Sequence, residues 1–165
     1  MYVCGIDPGL TGAVAILDAH GTLEALADTP TLSLKVQRGS KQVYDVPGMA
    51  ELLQPYTGQQ CHVIIEESQP MPGQGTRSMF TTGYGYGLWL GLLASFALPY
   101  TSVRPGVWKR MLALGKDKEA SRLRAMQLYP GADLRRKRDH GRAESLLLAH
   151  YGRRVLGQQR VCGAP

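Results

Sequence analysis

The chain has 165 residues, 44% of them hydrophobic and 19% charged, with a formal net charge of +6. That length suits one domain able to bury roughly 70% of its unfolded surface, and the composition excludes a disordered chain. Cys4, Cys61 and Cys162 form no CxxC pair, which argues against a disulfide scaffold and a cysteine zinc site. The first residues, MYVCGIDPGL, have neither the basic start nor the apolar core of a signal peptide. The longest apolar stretch, 87–98, is shorter than the ~20 residues of a membrane span. A soluble, intracellular protein is expected.

In chain order, YVCGID at 2–7 reads as a buried strand stopped by Pro8-Gly9. GAVAILD at 12–18 and Leu23 to Ala27 read as two further strands of an antiparallel meander. Residues 30–45 are polar and mixed, with no element predicted, and a short helix follows from Pro47 to Tyr56. HVIIE at 62–66 is a strand buried on both faces. Residues 69–80, with two prolines and two glycines, read as an irregular loop. Residues 81–98 read as a helix in which Gly83, Gly87 and Gly91 share one face open to close backbone approach. A short strand at 100–103, helices around Val107–Leu114 and Lys118–Leu128, and a last helix from about Asp139 to Val155 complete the pattern. Residues 1–156 are expected to form one domain, an α/β sheet flanked by helices on both faces, with 157–165 a frayed tail.

Charge is unevenly spread. Residues 1–103 carry four basic residues (Lys35, Arg38, Lys41 and Arg77) against eight acids, net −4, whereas 104–165 carry 15 against five, net +10. A basic region of this kind is the footprint of phosphate neutralisation or a solubilising face.

Three acids fall where a sheet and a helix can bring them together: Asp7 and Glu66 at strand ends, and Glu144 on the last helix. An ionised carboxylate at the end of an apolar strand is costly to bury unless it is paired or binds a metal. Strand alternation puts Glu66 and Glu67 on opposite faces, and Glu66 is taken to share the face of Asp7. His140 is four residues, ~40°, from Glu144 on the helix, whereas Asp139 shares that face only from outside regular helix, or serves as an N-cap. Clustered carboxylates bind hard cations such as Mg²⁺ and support phosphodiester cleavage. His140 is a candidate to orient water, bind metal or touch phosphate.

GIDPGLTGAVAI at 5–16, VIIEES at 63–68, PMPGQG at 70–75, VRPGVWK at 103–109 and DHGRAESLLLAHYG at 139–152 resemble the RuvC-type Holliday-junction resolvases. The likeness is to their phage-type branch, within the RNase H-like superfamily. The resemblance implies an RNase H-like mixed sheet and a homodimeric, Mg²⁺-dependent endonuclease, with Mn²⁺ a possible substitute, making paired nicks in branched DNA, notably four-way junctions. Asp7, Glu66 and Glu144 fall on that family's first, second and last catalytic acids. The family's other metal-binding residue, about three positions before the last acid, is Gly141 here, so Asp139 and His140 stand as candidates. The loop from Met71 to Phe80, with Arg77, would approach the junction crossover. Lys109, Lys116, Lys118, Arg135, Arg136, Lys137 and Arg138 would track phosphates. Two other readings stay open: a non-catalytic branched-DNA-binding module, and an actin-like or sugar-kinase-like ATPase suggested by the turn from Asp7 to Gly12.

Overall fold

The computed structural model describes residues 1–37, 39–70, 73–115 and 117–162, excepting the side chains of 159–162. Lys116 and Met71 lie outside them. Strands β1 (Tyr2–Asp7), β2 (Ala13–Leu17) and β3 (Leu23–Asp28) form the antiparallel meander expected from the sequence. Strands β6 (Cys61–Glu66) and β7 (Tyr100–Val103) continue the sheet in parallel with β1, giving the order β3-β2-β1-β6-β7. Strand β1 is central, which is why its interior is buried on both faces.

The two sheet faces carry separate cores. Cys4, Ile6, Val14, Ile16, Val63 and Ile65 pack under helices α1 (Val46–Leu53) and α2 (Thr76–Ser95), through Met49, Leu53, Trp89 and Leu93. On the opposite face Val3, Ala15, Leu17 and Ile64 meet α3 (Pro105–Met111), α4 (Lys118–Leu128) and α5 (His140–Cys162), through Trp108, Ala125, Leu146, Leu147 and Ala149. This is the mixed sheet with helices on both faces that the sequence predicts. Among the described residues no helix is long and apolar enough to cross a membrane.

The seating of α5 depends on Gly5. A Cβ at that position would collide with the Ser145 carbonyl oxygen and the Ala149 backbone nitrogen, so the helix backbone lies directly on β1. At the start of α5, Arg142 grips Asp28 of β3 with two hydrogen bonds of 2.6 and 3.1 Å and reaches Asp133 at 3.2 Å. This bidentate clamp ties the helix to the sheet edge.

Three segments depart from the sequence reading. Residues 30–45 form a two-stranded ribbon, β4 (Thr31–Lys35) with β5 (Ser40–Tyr44), rather than an element-free stretch. Most of the ribbon is exposed on both faces, so the apolar alternation that betrays a half-buried strand is missing. Helix α2 begins at Thr76, inside the predicted loop; its N-cap, Gly75, makes no side-chain capping bond that would have marked the start. Helix α5 runs past Val155 to Cys162, because Gln158, Gln159 and Arg160 are good helix formers and Gly157 alone does not break it.

Gly5→Val is expected to destabilise the protein by about 2 kcal/mol or more by forcing α5 off β1, read as a lower urea midpoint at unchanged m-value.

Candidate active site

Parallel pairing sets Ile6 opposite Ile65, so Asp7 and Glu66 leave the sheet side by side at the same end. Asp7 has the alternation parity of Val3 and Gly5, and Glu66 that of Ile64; all point to the face covered by α5. Glu144, in the first turns of α5, arrives from above and is only 7% exposed. Glu67 has the opposite parity and leaves the site, bonding Gln69 at 3.0 Å and Arg104 at 3.2 Å.

Helix α3 completes the cluster with two consecutive residues. The Trp108 indole N–H donates to Glu66 Oε2 at 2.7 Å, and the Lys109 ammonium donates to Glu144 Oε1 at 2.6 Å. A buried indole needs an acceptor for its N–H, and here that acceptor is the acid. The Lys109 Nζ also lies 5.1 Å from the Trp108 ring centroid, within cation–π range. Gly9 N–H lies 3.4 Å from Asp7 Oδ1, the long contact of the turn that follows β1.

Burial raises the Asp7 carboxyl to about 6, with the Glu144 charge adding to it, against the Gly9 amide and the ammonium groups of Lys118 and Lys109. Burial likewise raises Glu66 to about 7; the Trp108 bond opposes this, and the charges of Asp7 and Glu144 reinforce it. The three carboxylates therefore sense one another through a poorly solvated space. Among the described residues no three His, Cys, Asp or Glu side chains are already drawn into a metal-binding group. The charges that offset the acids are the ammonium groups of Lys109 and, at Asp7, Lys118.

No family model matches the chain. A 91-residue stretch, 53% of the chain, is 38% identical to the chloroplastic Holliday junction resolvase MOC1 of Chlamydomonas reinhardtii, and spans about 10% of that relative's length. Among solved structures, RuvC of T. thermophilus in complex with Holliday junction substrate superposes with a TM-score of 0.64 at 18% identity, over 95% of this chain and 96% of that one. A second Thermus thermophilus RuvC structure gives 0.60 at 20% identity, over 95% and 97%. The fold is that of RuvC.

Within this RuvC fold, position 141, three residues before Glu144, has no room for a ligand. A Cβ on Gly141 would collide with the Thr11 carbonyl oxygen, because the start of α5 rests on the turn at Gly12. Asp139 precedes α5 with a carboxylate 1% exposed, taken up by Arg136: the Arg136 backbone N–H donates at 2.8 Å and its Nε at 2.7 Å. His140 opens the helix, and its buried Nδ1 has no hydrogen-bond partner among the described residues. The structure thus gathers Asp7, Glu66 and Glu144, and leaves Asp139 bound to an arginine.

The basic candidates divide. Lys109 is engaged with Glu144, and Lys118, first residue of α4, is close enough to lower the proton affinity of Asp7. Arg136 is committed to Asp139 and Asp28, whereas Arg135, Lys137 and Arg138 are exposed, Arg135 only 4.0 Å from Asp133 at its nearest. Arg77 is exposed in the first turn of α2. Sequence reasoning did not single out Trp108, because an indole reads as core until its N–H is seen to reach Glu66.

Because Glu66 is raised above its ordinary value of 4.5 to about 7, its ionisation costs the metal-free fold stability. That term is fully favourable below about pH 4.5 and is lost as pH rises through 7. Glu66→Gln is therefore expected to be more stable than the parent by on the order of 1–3 kcal/mol at pH 8 and nearly equal to it at pH 4.5, measured by denaturation in EDTA.

Proposed function

We propose that this chain is a divalent-metal-dependent endonuclease that resolves four-way (Holliday) and other branched DNA by paired nicks. The observation that carries the reading is the convergence of Asp7, Glu66 and Glu144 at one end of a RuvC-like sheet, beside a strongly basic C-terminal region. The 91-residue stretch that is 38% identical to a Holliday junction resolvase supports it independently.

The donor set fits a hard cation. It offers carboxylate oxygens only, brought from two strand ends and a helix into a buried space where a divalent charge would offset them once Lys109 is displaced. Asp7, Glu66 and Glu144 would hold Mg²⁺, or Mn²⁺ in its place, and Asp139 would join them by exchanging Arg136 for the metal. A bound divalent ion supplies the positive charge that phosphodiester hydrolysis needs at the attacked phosphate and leaving oxygen. The chain's own residues do the rest. Trp108 fixes the Glu66 carboxylate, Lys109 holds Glu144 and offers a cation to phosphate once displaced, and His140 is available at the helix start to orient water. Lys118, Arg135, Lys137 and Arg138 attract the DNA backbone without reading sequence.

Paired nicks need two sites, one in each subunit of a homodimer. Helix α2 supports this assignment. Phe80 and Tyr84 stand 73% and 52% exposed, their rings stacked at 6.2 Å, and Gly83, Gly87 and Gly91 face open space. We place the chain in the phage-type branch, with residues 1–156 as a single nuclease domain acting in the cytoplasm of a bacterium or phage-infected cell.

End-labelled four-way junction and matched linear duplex, incubated with the protein in Mg²⁺ or EDTA, test the proposal. Symmetric nicks at the junction that need the metal, and that fall by roughly 10²-fold or more in Asp7→Asn, are expected. Tight junction binding without nicks in Mg²⁺ or Mn²⁺ would favour the non-catalytic module, and phosphate release from ATP without DNA the ATPase.

A further inference from the structure

The first 103 residues are net acidic, yet their four basic residues fall at positions 35, 38, 41 and 77 only. Position 38 lies outside the described residues; the fold brings the other three together. Lys35 and Lys41 on the β4–β5 ribbon and Arg77 at the start of α2 line one open cleft of about 850 Å³, together with Val36, Gln37 and Ser40. Among the described residues no carboxylate lines it. Among the described residues none of these three cations stands within ion-pair distance of an acid. In an acidic half of the chain, three unpaired cations on one cleft are a concentrated positive potential.

The cleft is tied to the catalytic end of the sheet. Tyr44, the last residue of β5, is buried, and its hydroxyl lies 3.3 Å from the Pro8 carbonyl oxygen and 3.5 Å from that of Thr81. It pins the ribbon's base between the turn after Asp7 and helix α2. A smaller hollow of about 150 Å³ that shares Lys41 and Arg77 is also lined by Leu10, three residues beyond Asp7. Lys109 and Lys118 approach the acids from the α3–α4 side, whereas Lys35, Lys41 and Arg77 stand on the α2 side, across the sheet.

The shape selects among anions. The cleft is wide and open, and its cations sit on exposed ribbon and helix, which suits a polyanion tracked along its length rather than one enclosed phosphate. The ribbon itself is a two-stranded pair with most residues exposed, an element marginal in water without support. We infer that the β4–β5 ribbon and Arg77 form a second phosphate-backbone groove, which holds an arm of the branched DNA other than the strand being cut. This inference rests on the junction-cutting reading above and adds Lys35 and Lys41 to the binding surface.

The test compares the full chain with a Lys35→Ala, Lys41→Ala double variant, and with the Lys35→Glu, Lys41→Glu reversal. Binding to a labelled four-way junction and to a linear duplex is followed by fluorescence anisotropy in EDTA between 50 and 300 mM salt, as chosen conditions. The junction log K against log salt plot should flatten by about two units of slope in the alanine variant, at an unchanged melting temperature. Junction affinity should fall at least about tenfold at the lowest salt, and further on reversal, with a smaller loss for duplex, since a duplex has no second arm. Unchanged slope and affinity in a folded variant would overturn the groove while leaving the nuclease reading intact. An altered oligomeric state with the salt slope unchanged would make the ribbon a protein interface and also overturn it. Failure of the parent chain to prefer junction over duplex would overturn both readings.

Discussion

The close approach of a helix backbone to a strand, permitted by the missing side chain of Gly5, is the constraint on which the site depends. With α5 lying on β1, Glu144 is carried to the end of the sheet where Asp7 and Glu66 emerge. The same helix rests through Gly141 on the turn after Asp7, and Arg142 anchors it to β3. Position 141 is thereby used for packing and has no room for a side chain.

Bringing three carboxylates into a poorly solvated space has an electrostatic consequence that the fold answers locally. Lys109 neutralises Glu144, Trp108 donates to Glu66, and the Gly9 amide and Lys118 moderate Asp7. These partners hold the acids in position but do not cancel the effect of burial, which still raises Asp7 and Glu66 with the neighbouring carboxylates adding to it. Ionising these two acids therefore costs the metal-free fold stability.

Much of this was legible in the residues. YVCGID and HVIIE announce buried strands by apolar runs, and an acid at the end of each is anomalous enough to mark a candidate site. Alternation then selects Glu66 over Glu67, and the geometry agrees with that choice. The ribbon was not legible, because a two-stranded element exposed on both faces has no hydrophobic period. The partners of ions were not legible either: that Arg136 belongs to Asp139 and Lys109 to Glu144 depends on tertiary approach, so a run such as RRKRD reads as uniformly free charge. Trp108 was hidden for a related reason, since an indole reads as core until its N–H is seen to need an acceptor.

Binding of Mn²⁺, followed by the paramagnetic resonance signal of the free ion, tests most directly whether the three acids form one cation site. The account predicts stoichiometric uptake at pH 8 that weakens below pH 6, as the protons on Glu66 and Asp7 compete, and that is lost in both Asp7→Asn and Glu144→Gln. Equal Mn²⁺ affinity in the parent and these variants, or affinity indifferent to pH between 5 and 8, would contradict it.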